Sequence, residues 1–501
     1  MDFGFILSSI EPVLMPSNLL LIFLGALGGI LIGSIPGLTS TMGIALLIPF
    51  TYGLEITNSV GMLLGIFCGA MYGGSIAAIL IRTPGTPAAA ATVLDGYPMG
   101  QKGEAGRALA VALFSSFAGG IIGASLMSFL SPVISKMALK FGPAEFFTLA
   151  VFGLSVIISI SGKSITKGLI TAFFGLLIAT VGMDKQSGYM RFTRALGLME
   201  GIPFIPALIG LFALSEVFSN IENILSSGKV TAKISGALPS WSDIKRIFTT
   251  IVKGAGIGAF IGAVPGAGGD IAAFVSYSEA KRVAKHPELF GSGVPEGIAA
   301  AESANNGCTG GAMIPMLALG VPGDSNTAVL MGAFILQGFQ PGPMMYVEHL
   351  DVVYAVFASM IMANIAFLIV GMAGVKIFAK VISLERKFLI PAILVLSLVG
   401  AYAINRNMFD VYFAIAMGVI GYLLQKYEFP LSPILLALIL GPLCEVNLRR
   451  FMQIDNGEFW RIFTKPICVV FLILALASMV TAVIQQRKIN RLTGEAGGSG
   501  N

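Results

Sequence analysis

Apolar stretches long enough to cross a lipid bilayer recur from Asn18 to about Gln485, separated only by short polar turns. A helix rises 1.5 Å per residue, so roughly 20 apolar residues span the hydrocarbon core. In that solvent every backbone N–H and C=O must be satisfied within the protein, which leaves helices and closed barrels. Stretches this long and continuous are helical. Composition agrees: charged residues make up 11 % and hydrophobic residues 55 % of the 501 positions, against about 25 % charged in soluble domains. So few charges cannot cover a soluble fold of this size. The expected fold is an all-α polytopic membrane protein with about eleven crossing helices and two re-entrant hairpins.

Several functions are excluded by what the chain lacks. Two histidines and four scattered cysteines, Cys68, Cys308, Cys444 and Cys468, offer neither a metal centre nor a disulfide framework. The net charge of +5 is small and dispersed, so no nucleic-acid partner is expected. The HExxH, GxSxG and Walker patterns of membrane or soluble enzymes are missing. The GAGGD run, Gly266–Asp270, lacks the partner that an intramembrane aspartyl protease would need. The N-terminus has no basic segment of the kind that opens a cleavable signal peptide.

An internal repeat organises the rest. IGSIPG, Ile32–Gly37, is answered by IGAVPG, Ile261–Gly266; Pro84-Gly85 by Pro322-Gly323; and VLDG, Val93–Gly96, by VLMG, Val329–Gly332. The matches keep their order, which implies two copies of one architecture. They occupy residues 1–228 and 253–486, joined by a cytoplasmic segment, 229–252, and followed by a cytoplasmic tail, 487–501. Loop charges orient the copies. No Lys or Arg precedes Arg82, whereas Lys102 and Arg107 follow the first copy's second Pro-Gly. In the second copy, Lys281, Arg282 and Lys285 follow the first Pro-Gly, and Gly338–Asp351 after the second has none. Corresponding loops therefore face opposite sides by the positive-inside rule. This is the pattern of inverted-topology repeats, common among secondary transporters. It places the N-terminus outside and the basic Arg487–Arg491 segment, with the C-terminus, inside.

The first Pro-Gly of each copy interrupts an apolar stretch that returns to the side it left, Asn18–Phe50 and Lys253–Ala280. Both are read as re-entrant hairpins. The second Pro-Gly interrupts a crossing, within Ser59–Leu94 and Gly297–Gln337. Proline lacks an N–H and glycine tolerates positive φ, so each pair breaks a helix. Irregular backbone at membrane depth survives only where protein or a wet cavity surrounds it. Two hairpin tips and two broken helices would thus enclose one site, where free carbonyls suit a cation and free N–H groups an anion.

The candidate site residues follow from those breaks. At the tips stand Thr39, Ser40 and Thr41, and Gly268, Gly269 and Asp270. At the first broken helix stand Arg82, Thr83, Gly85 and Thr86, and at the second Asp324, Ser325, Asn326 and Thr327. Arg82 lies within an apolar crossing, where its planar fork would clamp a carboxylate or pair with a buried acid such as Asp270, Glu302 or Asp324. Asp270 and Asp324 stand at helix starts, where a carboxylate caps free N–H groups. Asn305 and Asn306 approach the second break and would bond ligand or the hairpin tip. Sodium, which favours oxygen, would fit the groups of Pro36, Thr39, Ser40, Pro265, Ser325, Asn326 and Thr327. Gly254, Gly258 and Gly262 mark a close helix-packing seam.

Three stretches carry a family resemblance: GAMYGGSIAAILIRTPGTPAAAATVLDGYPMGQKGEAGRAL (Gly69–Leu109), GAVPGAGGDIAAFVSYSEAKR (Gly262–Arg282) and PEGIAAAESANNG (Pro295–Gly307). They resemble the large membrane subunit of tripartite tricarboxylate transporters, the TctA family, over roughly Leu21 to Val483. The resemblance implies a multi-pass protein of the bacterial inner membrane, with the N-terminus periplasmic. It also implies a small TctB-like membrane subunit and a periplasmic TctC-like binding protein as partners. A carboxylate would be taken up at the expense of a Na+ or H+ gradient, with no cofactor. Arg82 stands where the family often has Asn, and Asp324 where a small neutral residue is frequent. The expected function is uptake of an organic carboxylate by an elevator-like shift of the hairpins and broken helices. The rivals are a stand-alone carboxylate symporter, an anion channel and an intramembrane enzyme.

Overall fold

A computed structural model of the chain describes residues 3–160, 164–184, 186–222, 239–381 and 386–498. It is helical apart from a two-stranded antiparallel ribbon, Gly182–Met183 with Met190–Arg191. Seven helices among the described residues are long and apolar enough to cross a membrane: Pro16–Ser34, Ile56–Ile81, Pro87–Ala138, Phe204–Ile221, Leu350–Gly374, Met408–Lys426 and Pro466–Ile484. The third contains a bend at Gly103, whose φ of 84° leaves the helical region, so the chain turns tightly beside Lys102 and Arg107.

All four Pro-Gly segments interrupt helix. The first hairpin is Pro16–Ser34, a turn, and Ser40–Thr51. The first broken helix is Ile56–Ile81, a break at Arg82–Thr86, a short 3-10 turn at Pro87–Ala89 and Ala90–Met99. The second hairpin is Trp241–Gly262 and Gly268–Val283, and the second broken helix is Pro295–Leu319 and Ser325–Leu336. Ser40–Thr51 and Ser325–Leu336 have 12 residues each, about 18 Å of helix, too short to cross a bilayer core of about 30 Å. Two expected boundaries move. The second hairpin's first arm starts at Trp241 rather than Lys253, because Ser240 caps it by accepting from the Asp243 N–H. The last helix continues to Gly498, into the stretch expected as a separate tail from residue 487, since helix propagates readily once nucleated. Residues 223–238, which include most of the expected connecting segment before Trp241, lie outside the described residues.

The centre of the molecule is formed by Ile56–Ile81 and Pro295–Leu319, each leading into the second Pro-Gly of its half. Both are enclosed on almost every face. The second is rich in Ala and Gly, and it is small residues that let backbones meet. Side chains added at Gly25, Gly29 and Gly33 would lie 2.2–2.4 Å from the carbonyl oxygens of Met62, Ile66 and Ala70. The expected seam is present in the other half: Gly258 and Gly262 press on the Ala304 and Cys308 carbonyls in the same manner. The two halves then cross, with Gly119 and Gly123 of the first against Ser303 and Gly307 of the second. Close approach of small residues supplies van der Waals contact where lipid offers no hydrophobic drive to associate.

Matching positions also meet in matching ways. Gly85 packs on the Gly33 carbonyl and Gly74 Cα, and Gly323 on the Gly262 carbonyl and Ala312 Cα. Gly33 and Gly262 each precede their first Pro-Gly proline by three residues, and Gly74 and Ala312 each precede Gly85 and Gly323 by eleven. Each second break is thus pinned onto its own half's first arm.

Candidate functional site

The four breaks face one cavity of about 230 Å³. Thr39, Ser40 and Thr41 line it from the first tip, and Gly268, Gly269 and Asp270 from the second. Thr86, Pro87 and Ala88 come from the first broken helix, and Asp324, Ser325 and Asn326 from the second. Met71, Phe212 and Ser432 complete the wall. Ten of the residues singled out in the sequence therefore meet at one place.

What the wall presents is helix starts. Ser40–Thr51, Pro87–Ala89, Gly268–Val283, Ser325–Leu336 and Ser432–Ile454 all begin at this cavity. The first N–H groups of a helix have no partner within it, and the aligned peptide dipoles leave partial positive charge there. Thr39 caps its helix by accepting from Met42 N at 3.2 Å. Asp324 forms a capping box: its Oδ1 accepts from Thr327 N at 2.8 Å, and its own N–H donates to Thr327 Oγ1 at 2.9 Å. Gly268–Val283 has no side-chain cap, so Asp270 stands within the first turn rather than capping it. Gly268, at φ 66°, takes a backbone conformation natural only to glycine.

One amide ties the halves together across the cavity. Asn326 Oδ1 accepts from Ser40 Oγ and from Thr41 Oγ1, each at 2.8 Å, and its Nδ2 donates to Asp324 Oδ2 at 3.2 Å. The second tip is held by Gly266 N donating to Gly323 O at 2.6 Å. Ser325 Oγ donates to Ser432 Oγ at 2.8 Å. Asp270 and Asp324 are the only ionisable side chains among the lining residues, and no Lys, Arg or His is among them. An anion here meets backbone N–H groups and hydroxyls; a cation meets two carboxylates and the oxygens of Thr39, Ser40, Thr41 and Asn326.

The remaining candidates lie elsewhere. Arg82 does not line the cavity. It is exposed, closes Ile56–Ile81 in the left-handed conformation at φ 60°, and rests over the Tyr97 ring at 5.7 Å. The second half has Gly320 at this left-handed position, φ 72°. The break ends the helix before Arg82, so its side chain leaves the cavity side. Thr83 is exposed as well, and Gly85 is consumed in packing. Thr327 is buried beneath the wall in its capping box. Pro36 lines a separate small apolar cavity with Ile390 and Ile393, and Pro265 is buried behind the second tip. Asn305 is fully buried, donates to Met71 O at 3.2 Å and directs Oδ1 at Gly269. Asn306 is fully buried with neither amide atom bonded. Ser432 was missed by sequence reasoning; its Ser-Pro pair ahead of an apolar run is a helix-start signal.

Comparison with known proteins adds the lineage. The chain matches the model of the tripartite tricarboxylate transporter TctA family over residues 19–436. It is 39 % identical over 482 residues to an uncharacterized 52.8 kDa protein in the TAR-I ttuC' 3' region of Agrobacterium vitis, covering 96 % of each chain. It is 37 % identical over 234 residues to an uncharacterized protein in the TAR-II ttuC' 3' region of the same organism, covering 47 % of this chain and 97 % of that one. No solved structure matches. With the four breaks gathered on one cavity and the match running through all of them, the chain belongs to the tripartite tricarboxylate transporter TctA family.

Proposed function

We propose that the chain is the large, transporting subunit of a binding-protein-dependent secondary carrier. It imports an organic carboxylate of the di- or tricarboxylate type, driven by a Na+ or H+ gradient. One observation carries the reading: five helix starts converge on a cavity whose only charged side chains are two aspartates. Backbone N–H groups at helix starts hold a carboxylate without any basic residue. The aspartates forbid that anion from entering alone, because like charges a few ångströms apart in a low-dielectric site repel strongly. A cation must accompany it, which is what coupling to a gradient requires.

The partners follow from the family: a small TctB-like membrane subunit and a periplasmic TctC-like binding protein that delivers the carboxylate. The protein lies in the bacterial inner membrane, N-terminus periplasmic and C-terminus cytoplasmic. Its halves are inverted repeats. The hairpins and broken helices form the moving unit, which slides past the remaining helices as an elevator and exposes the cavity to each side in turn.

Reconstitution with both partners tests this, with labelled citrate and succinate as probes. Saturable counterflow and uptake that follow an imposed Na+ or H+ gradient are expected. Unsaturable current would mean a channel, and full uptake by this chain alone would mean a stand-alone symporter. Either result overturns the proposal.

A further inference from the structure

Glu302 lies in the middle of Pro295–Leu319, fully buried and away from the cavity wall. Its Oε1 accepts from Ser75 Oγ at 2.5 Å and from Thr92 Oγ1; its Oε2 accepts from Ser116 Oγ at 2.8 Å. The three hydroxyls come from Ile56–Ile81, Ala90–Met99 and Ala105–Ala138, all in the first half. Among the described residues no Lys, Arg or His pairs with this carboxylate.

Two further buried groups on the helices around Glu302 lack a hydrogen-bond partner. Tyr72, one turn before Ser75 and within electrostatic reach of Glu302, has a buried hydroxyl with no bonding partner. Asn306, one turn after Glu302 on its own helix, is fully buried with both amide atoms unbonded. Native interiors rarely leave such groups unsatisfied, so each needs an explanation. An ionised carboxylate with no counter-charge is among the most expensive things to bury. Protonation would neutralise it but would still leave the Asn306 amide unbonded. A small hard cation removes both difficulties, because each hydroxyl that donates to the carboxylate keeps lone pairs free to ligate it.

We propose that Glu302, with the hydroxyl oxygens of Ser75, Thr92 and Ser116 and the amide oxygen of Asn306, forms a sodium site distinct from the carboxylate cavity. Because its carboxylate comes from one half and its hydroxyls from the other, the bound ion fastens the joint between the halves. The inference deepens the reading of the chain as a cation-coupled carrier, and it names the ion and its place.

The test is binding alone, with no carboxylate and no partner subunit, so a failure of carboxylate transport leaves its result standing. The thermal unfolding midpoint of the purified chain is followed as NaCl replaces choline chloride at constant ionic strength. A saturable rise is expected for the wild type and for an Asp270→Asn, Asp324→Asn double variant. In Glu302→Gln the rise is lost, and in Ser116→Ala the half-saturating sodium concentration increases about tenfold, as for loss of one supporting group. If Glu302→Gln does not elute as a folded monodisperse species, Ser116→Ala carries the test. A sodium response that survives Glu302→Gln, or that disappears only in the double aspartate variant, overturns the assignment. So does a wild type that responds to pH and not to sodium.

Discussion

Glycine is where a single atom decides most in this protein. A side chain at Gly85 would stand 1.8 Å from the Gly33 carbonyl oxygen, and both are backbone, with nothing flexible to yield. Gly85→Ala therefore forces the first break off its own hairpin arm, an overpacking loss of about 3 kcal/mol. Gly28 lies in the same arm with nothing within 4 Å of an added Cβ, so Gly28→Ala gains about 0.5–1 kcal/mol of helix propensity. Unfolding midpoints should move in opposite directions, and a harmless Gly85→Ala would show that the break is not pinned. Arg82 gives the converse case. A non-glycine residue in the left-handed region is strained by about 1–2 kcal/mol, partly offset by stacking on Tyr97. Arg82→Gly should match or exceed the wild type in thermal stability and keep carboxylate uptake; loss of uptake would return Arg82 to the site. The sequence pattern announces a break at Pro84 because proline and glycine act on their own backbone. It does not announce which way Arg82 points, since that depends on where the helix before it stops.

Short helices and their connections show the same division. The turns at 36, 84, 265 and 322 are legible because each is a local property of Pro-Gly, and the Asp324 cap is legible because capping needs only neighbouring residues. The Gly254, Gly258 and Gly262 seam is legible from its four-residue period. Ser75, Thr92 and Ser116 are not, because three helices must first pack before their hydroxyls share one carboxylate. The ribbon at Gly182–Arg191 is likewise set by distant partners. Arg449 Nη1 donates to Asp184 Oδ2 at 2.7 Å, and Arg191 and Arg449 share Glu445 at 2.7 and 2.6 Å. The Arg449 guanidinium, assisted by the Gln186 N–H and the Ser187 hydroxyl, holds the Asp184 carboxyl well below the usual carboxylate range. A depressed folded-state value stabilises above the ordinary value near 3.9 and is lost only as pH falls through the depressed one. This clasp should hold unchanged from neutral pH down past pH 5. In Arg449→Ala the acid-side loss of thermal stability should begin at higher pH than in the wild type. Superimposable pH profiles would show that the clasp adds nothing.

Charge balance connects the whole molecule to its work. The two halves bring five helix starts to one cavity, and the positive ends of their dipoles do not equal the two negative charges of Asp270 and Asp324 with a polyanion added. On the proposed function that deficit is met by cations entering with the carboxylate, which would link carboxylate affinity and cation concentration, each raising the affinity for the other by the same factor. Asp324→Asn separates charge from architecture, because asparagine caps a helix start about as well as aspartate. The variant should therefore fold with an unchanged second break, while one fewer cation is needed for a carboxylate to bind. In the fully assembled transporter, the half-saturating citrate or succinate concentration should depend less steeply on the coupling cation than in the wild type. At low cation concentration the variant should bind carboxylate at least as tightly as the wild type. If the steepness is unchanged, Asp324 serves its helix alone, and the accompanying cation is held by Asp270 or by the buried cluster around Glu302.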